Sequence, residues 1–177
     1  FRKVAAASPW LAKAPASFRD AVLARCYQRH YEDGEFIQSA IDDAGGLYGI
    51  VRGTVRLMLT AGDHGPYCGH LLGVGSWAGE GPAIAGGTRL VSLVSSGEST
   101  LLWLSRPAIT EIAALDDGHW RHFVALMSAN LDLALGAIAD LMLRDHRKRL
   151  IASLLRVAGR RSESPPGDPP VTVPLTQ

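Results

Sequence analysis

Short apolar stretches separated by glycine-bearing turns characterise the chain between residues 29 and 104. Such stretches, recurring at roughly 8–12-residue spacing, predict a β-sandwich, a jelly roll or a small barrel. No strand alternates with a full-length helix, so a doubly wound parallel sheet is not predicted. The β-prone pieces are His30-Tyr31, Phe36-Ile37, Leu47–Val51, Thr54–Leu59, Tyr67–Leu72, Leu90–Val94 and Leu101–Leu104, with turns that include Arg52-Gly53 and Ser96–Glu98.

Helical patterns lie on both sides of this region. A short helix is predicted to begin at Ser17, which with Asp20 three residues later has the form of a capping box. A second short helix is predicted from Pro107 to about Leu115, because proline is tolerated in the first turn of a helix.

A heptad seam follows after residue 118, with apolar residues spaced alternately four and three apart. A helix of about 28 residues is about 40 Å long, which exceeds the width of a small β domain. The strict seam therefore favours pairing with a second copy of the chain, and the alternative is a helix packed along its own domain. The seam residues are Trp120, Val124, Met127, Leu131, Ala134, Ile138 and Leu141.

Composition excludes several classes of protein. With 47% hydrophobic and 20% charged residues the chain has ordinary globular composition. The formal net charge of +1 neither indicates nor excludes nucleic acid. Two cysteines are too few for a disulfide framework, so we expect reduced thiols and a cytoplasmic location. The longest uncharged apolar run, Leu133 to Ala139, is far shorter than the ~20 residues of a membrane span, and no membrane association is predicted.

The turn Gly79-Glu80-Gly81 is the candidate anion site. A glycine-rich turn that opens a short helix presents free backbone N–H groups, which suits a phosphate. Arg89, on the strand expected to face this turn, would add a fork-shaped charged donor. The alternative is that Glu80 and Arg89 pair with each other and stabilise the fold.

Several short motifs occur in a characteristic order along the chain. They are Y-E-D-G-E at residues 31–35, L-Y-G-I-V-R-G-T-V at 47–55, G-S-W-A-G-E at 75–80, Arg89, the junction of Asp145 with Arg149 and Leu150, and V-P-L-T-Q at 173–177. In this order, and together with the long helix, they resemble the bacterial transcription regulators of the cyclic-AMP receptor protein and fumarate–nitrate regulator (Crp/Fnr) family.

The resemblance implies an α+β fold, namely a cyclic-nucleotide-binding-type β-roll (a double-stranded β-helix or jelly roll) with flanking short helices and a long C-terminal dimerisation helix. It implies an N-terminal helix and β-roll sensor domain over residues 1–117, the dimerisation helix over 118–148, and a hinge, a linker and the start of a truncated winged helix-turn-helix over 149–177. The hinge is implied at Asp145 and Arg149.

The resemblance also implies a function. The chain would be the sensing part of a homodimeric regulator that is not an enzyme. It would bind promoter DNA through a C-terminal domain outside these residues, with RNA polymerase as a further candidate partner. The near-neutral charge agrees with phosphate contacts lying elsewhere.

The ligand roles that the resemblance implies fall on Gly79, Glu80 and Arg89. In the family the matching glutamate accepts from a sugar hydroxyl, the matching arginine binds the cyclic phosphate, and the glycine gives backbone access. Two departures weaken a cyclic nucleotide as the effector: Leu90 replaces the usual small hydroxyl, and Ala134 lies where hydroxyls usually reach the base. The effector is therefore unknown, with a cyclic nucleotide as one candidate.

Other cofactors and functions have less support. An iron–sulfur cluster is not expected because no cysteine precedes Cys26. The G-x-G-x-x-A pattern at residues 73–78 lacks the βαβ context of a dinucleotide site. The pair His119/His122 lacks a cysteine or glutamate as a third ligand, and His64 with His70 does not form the His-x-His pair usual in metal-binding jelly rolls, so no metal site is predicted. Two alternative functions are a regulatory module attached to a channel or a kinase, and a small jelly-roll metal enzyme.

Overall fold

Three short helices open the chain in the computed structural model, which describes residues 1–42 and 45–158. They are α1 (Arg2–Ala6), α2 (Pro9–Ala12) and α3 (Ala16–Arg25). The predicted helix is confirmed as α3, but the predicted cap at Ser17 is wrong. Pro15 is the N-cap residue and no side chain caps the helix, because the fixed φ of proline already suits the chain's entry into a first turn.

An antiparallel β-roll follows, which confirms the predicted fold class. The strand order is β1-β6-β3-β4, while β2 pairs with β6 and β5 pairs with β3. A short helix, α4, lies between β5 and β6. The elements are β1 (Tyr27–Tyr31), β2 (Phe36–Gln38), β3 (Gly46–Ala61), β4 (His64–Leu72), β5 (Trp77–Ala78), α4 (Glu80–Ala85) and β6 (Ser92–Ser105).

Two of the predicted turns, Arg52-Gly53 and Ser96–Glu98, lie inside long strands, β3 and β6 respectively. The turn predicted at Arg52-Gly53 is a pair of register shifts within β3, on either side of Arg52. Gly53 has φ +84, and a Cβ there would lie 2.5 Å from the carbonyl oxygen of Glu98. Glycine serves a bulge and a turn equally well, so its presence in the sequence did not distinguish them.

The roll has an internal core and a second core beneath the helices. The internal core includes Tyr31, Ile50, Leu93 and Leu101. The second core joins the opening helices to β3, β6 and Trp77 of β5, and Trp77 is 3% exposed. The Trp77 indole donates to Ser8 Oγ at 3.3 Å. This anchoring fixes the chain immediately before residue 79, where the candidate site begins.

Three helices follow the roll: α5 (Arg106–Leu115), α6 (His119–Leu141) and α7 (His146–Val157). The predicted seam lies entirely within α6, and the predicted boundary at residue 148 lies inside α7. The chain forms two units, Phe1–Ser128 and Ala129–Gln177. Phe123 and Leu126, from the first turns of α6, are buried in the first unit. Residues 159–177, which include the motif at 173–177 and the end of the implied linker and DNA-binding segment, lie outside the described residues.

By length and composition alone, α6 is apolar enough to cross a membrane. Its most apolar window has a mean hydropathy of 1.5, and only 11% of that window is buried. One such helix is a weak indication of a membrane span. An apolar helix that is mostly exposed in a single copy of the chain also has the composition expected of a helix that pairs with another copy.

Candidate anion-binding site

Arg89 is a buried cation of the roll, with only 3% of the residue exposed. Burial lowers the pKa of the guanidinium from its ordinary value, while nearby Tyr48 and Asp42 act in the opposite direction. Because a guanidinium remains protonated in proteins, the structure holds a positive charge in a place of limited water access. Such a charge is a binding group for an anion.

The side chain of Arg89 is held by groups distant in sequence. Its Nη1 donates to the carboxamide Oε1 of Gln38, 51 residues away. Its Nη2 donates to the carbonyl oxygen of Gly46 at 3.4 Å. The guanidinium carbon lies 5.8 Å from the ring centroid of Tyr48. None of these partners was identified from the sequence, since none has a local pattern that distinguishes it.

The backbone of Gly79 packs against this arginine. Gly79 is the N-cap residue of α4 and has φ +95, a conformation that favours glycine. A Cβ on it would lie 2.8 Å from the carbonyl oxygen of Gly46 and 3.2 Å from Nη1 of Arg89. The structure thus brings together Gly79 and Arg89, and it places the half-buried Glu80 as the first residue of α4.

Leu90 does not share this position. It is 85% exposed, so its side chain extends into solvent, although its neighbour Arg89 is buried. The sequence suggested a leucine facing the ligand's phosphate in place of a hydroxyl. Position 90 therefore offers no hydroxyl to a phosphate, and its apolar side chain lies in solvent instead of facing the ligand.

Ile41 and Asp42, which precede β3, form backbone hydrogen bonds with Arg89. The amide of Ile41 donates to the carbonyl of Arg89 at 3.0 Å, and the amide of Arg89 donates to the carbonyl of Asp42 at 3.4 Å. Ile41 has φ +75 and is 83% exposed. A β-branched residue is rarely found in this region of conformational space, because its Cβ crowds the following carbonyl.

We expect Ile41→Asn to stabilise the protein by about 1 kcal/mol, since asparagine tolerates the left-handed conformation and the exposed isoleucine loses little burial. Chemical denaturation of both proteins measures the difference. Ile41→Val is the matched control, because it keeps the β-branch and should leave the free energy of unfolding nearly unchanged. Equal stability of all three proteins would contradict the strain at this position.

A separate polar cleft of about 230 Å³ lies elsewhere in the roll. His30, Arg52, Glu98 and Thr100 are among its lining residues. It contains none of the predicted ligand residues, and its charged groups are solvent-exposed. We therefore assign the candidate site to Arg89, where the charge is buried.

The histidines considered as metal ligands lie in other surroundings. His119 is buried and its Nδ1 is hydrogen-bonded to the carbonyl of Ile112 at 2.7 Å. The His122 ring packs against Phe18, with 4.7 Å between centroids. In the described ranges, no three His, Cys, Asp or Glu side chains are grouped closely enough to hold a metal ion.

Residues implied for the hinge lie at the start of α7. Asp145 is the N-cap residue, and its carboxylate accepts from the amides of Arg147 at 2.8 Å and Lys148 at 3.2 Å. The amide of Arg149 donates to the Asp145 carbonyl at 3.0 Å. These bonds fix the start of α7 at His146, with four residues between it and the end of α6 at Leu141.

A buried ion pair missed by the sequence reasoning joins the same two helices. Arg156 Nε donates to Asp140 Oδ2 at 3.3 Å, with side chains 9% and 1% exposed. No local pattern links Asp140 to Arg156, which lie 16 residues apart in the sequence. Only the packing of α7 against the end of α6 shows that they pair.

The predicted dimer residues line one exposed side of α6. Trp120 is 40% exposed, Val124 56%, Leu131 58%, Ile138 55% and Leu141 65%. Met127 is half-buried and Ala134 is exposed.

Comparison with solved structures gives several matches. The catabolite activator protein of Thermus thermophilus is 26% identical, with a TM-score of 0.64, and the match covers 75% of this chain and 64% of that protein. The N-terminal domain of a Streptomyces coelicolor transcriptional regulator is 18% identical, with a TM-score of 0.62 and coverages of 73% and 92%. The regulatory domain of Toxoplasma gondii PKA, solved with cAMP, is 14% identical, with a TM-score of 0.66 and coverages of 75% and 49%. The latter two show a shared fold alone.

A comparison with curated proteins finds no match. Residues 28–116, half of the chain, match the family model of the cyclic nucleotide-binding domain. That segment includes the roll from β1 to β6, with Gly79 and Arg89. The chain therefore belongs to the cyclic nucleotide-binding domain family.

Proposed function

We propose that this chain is the ligand-sensing part of a homodimeric DNA-binding transcription regulator whose effector is a cyclic nucleotide. At a coarser level it is a cyclic nucleotide-binding regulatory module, a fold that is typically non-enzymatic. The likeness to the catabolite activator protein supports the DNA-binding part of this proposal, and one observation carries the ligand-binding part. A buried arginine, Arg89, packs directly against the left-handed Gly79 at the start of α4.

Each residue of the site has a role in this proposal. Arg89 binds the phosphate, because its fork of N–H donors matches two phosphate oxygens and its charge is shielded from water. Gly79 lets the phosphate approach the backbone, since it carries no side chain. Glu80, at the first position of α4, accepts a hydrogen bond from a sugar hydroxyl.

The two departures from the family pattern set the expected affinity. Leu90 supplies no hydroxyl to the phosphate, and Ala134 supplies none to the base. One missing hydrogen bond to a charged group costs about 1–3 kcal/mol. We therefore expect weaker binding than in a site with the full set of donors.

The exposed side of α6 supports a dimer. Val124, Leu131 and Ile138 are each more than half exposed in a single copy, and they recur at heptad spacing. A second copy of α6 would bury them without exposing another apolar surface. Charged residues such as Arg121 and Asp132 interrupt the same helix, which favours a paired helix over a membrane span.

The junction of α6 with α7 is the proposed relay. Ligand binding changes how the roll meets the long helix, and the hinge at Asp145 transmits that change to the DNA-binding domains. Two such domains must reach half-sites about 34 Å apart, one turn of DNA. A switch of this kind requires only a few kcal/mol of differential affinity between two arrangements.

One alternative keeps the sensor and changes its output. The likeness in fold to the regulatory domain of a protein kinase agrees equally with a module that controls a protein other than a DNA-binding domain. The two proposals differ in the kind of domain that the module controls.

The test is isothermal titration calorimetry of the protein with cyclic AMP and with cyclic GMP. We expect saturable binding of one of them, and a loss of at least about 100-fold in affinity for Arg89→Ala, which removes two charged hydrogen bonds. Arg52→Ala is the matched control, because Arg52 is an exposed arginine of the same roll.

Arg89→Lys is the second variant, since it keeps the charge but loses the fork. We expect it to bind more weakly than the unmodified protein and more tightly than Arg89→Ala. Binding of neither nucleotide by the unmodified protein would contradict the proposed effector, and equal affinity of Arg89→Ala would contradict the phosphate role.

A further inference from the structure

The carboxamide of Gln38 lies directly in front of the Arg89 guanidinium. Gln38 is 5% exposed and Arg89 is 3% exposed, so the contact lies inside the roll. Arg89 Nη1 donates to Gln38 Oε1. An amide oxygen is a neutral acceptor that makes the same kind of bond as a phosphate oxygen.

An irregularity in β2 aims Gln38 inward. In a regular strand, consecutive side chains point to opposite faces. Here Ile37 and Gln38 are both buried, at 7% and 5% exposure. The register between β2 and β6 shifts at this point, where Phe36 pairs with Val94 and Gln38 with Leu93. A bulge of this kind redirects one side chain, and in this strand the redirected side chain is Gln38.

A second bond orients the carboxamide. Gln38 Nε2 donates to the carbonyl of Val91 at 3.3 Å. That bond uses the nitrogen, so the oxygen is presented to Arg89. The identity of this residue therefore matters: a leucine of similar size would fill the volume but offer no acceptor.

The same place is the approach for an anion. A Cβ on Gly79 would lie 3.5 Å from Gln38 Oε1 and 3.2 Å from Arg89 Nη1. A phosphate that contacts both the backbone at Gly79 and Nη1 of Arg89 would therefore compete with the amide oxygen, which already accepts from Nη1.

We propose that Gln38 is an internal competitor for the ligand's phosphate, holding Arg89 in the ligand-free state and leaving it when the phosphate binds. The proposal rests on the proposed function, in which Arg89 binds that phosphate. As a consequence, the apparent affinity equals the intrinsic affinity multiplied by the fraction of molecules in which Gln38 does not occupy the site. Gln38 thus sets the concentration at which the sensor responds.

Titration calorimetry with cyclic AMP and cyclic GMP tests the proposal on Gln38→Leu. We expect affinity to rise about tenfold or more, the effect of one hydrogen bond to a charged group. Gln28→Leu is the matched control, since Gln28 is an exposed residue of β1 and should leave affinity unchanged. Gln38→Ala is the second variant in case the leucine disturbs folding, with the same expected direction.

Gln38→Glu should act in the opposite direction. A carboxylate would neutralise Arg89 from within and repel the phosphate, so binding should fall below detection. Unchanged or weaker binding by both Gln38→Leu and Gln38→Ala, in protein that remains folded by circular dichroism, would overturn the competitor role while leaving the proposed function intact.

If neither nucleotide binds any variant, the proposed effector is wrong. A second measurement then tests the competitor role of Gln38 separately. Thermal unfolding is then compared in inorganic phosphate and in chloride at equal ionic strength. We expect phosphate to raise the melting temperature of Gln38→Leu by more than that of the unmodified protein. Equal shifts would overturn the competitor role as well.

Discussion

Replacing Ile138 by lysine is expected to convert a dimer into a monomer. Ile138 is 55% exposed in one copy and lies on the seam of α6. In the dimer each copy would bury the exposed half of this side chain, which contributes about half of the ~1.5–3 kcal/mol of a fully buried isoleucine. Lysine loses that contribution and, in a symmetric pair, places two positive charges near each other. Analytical ultracentrifugation at micromolar concentration measures the outcome.

Ala139→Lys is the matched control for this substitution. It introduces the same side chain at the next residue, which is exposed but lies off the seam. We expect this variant to remain a dimer. A dimer that persists in Ile138→Lys, or an equal loss in both variants, would contradict pairing through this side of α6.

Removing either member of the Asp140–Arg156 pair is expected to destabilise the α6–α7 junction by about 3–5 kcal/mol, because the remaining charge would stay buried and lose this ion pair. Both side chains are almost completely buried, so solvent screens the interaction little. Hydrogen exchange of the α7 amides measures the stability of this junction locally. We expect much faster exchange in Asp140→Ala and in Arg156→Ala.

The double variant Asp140→Leu with Arg156→Leu supplies the control. An apolar pair of similar volume removes both buried charges together, so its cost should be far smaller than that of either single substitution. Additive effects of the two single substitutions, with the double variant the least stable of the set, would contradict a direct pairing across the junction.

The strands were predictable to different extents. Leu47–Val51 and Thr54–Leu59 were identified as β-prone, but they form parts of one strand, β3. The local sequence pattern showed the apolar residues of both pieces and the glycine between them. It could not show that β6 runs beside both pieces, and the ladder to β6 makes them continuous.

The candidate site divides in the same way. Gly79 and Arg89 were identified from residue type and order, because a glycine turn and a nearby arginine carry their chemistry individually. Gln38 was not identified, since a glutamine on a short strand is ordinary in sequence. Its role depends on a register shift in β2 and on a partner 51 residues away.

The sequence by itself determined a domain of many short strands, the long helix with its seam, and the residue types available to bind an anion, while the β-roll in particular was implied by the family resemblance. These follow from periodicity and side-chain chemistry, which are local. Tertiary structure alone decided that Gln38 contacts Arg89, that Leu90 lies in solvent, and that Asp140 pairs with Arg156. The physical reason is that burial and pairing depend on strand register and on how helices meet, and these are set by the packing of the cores.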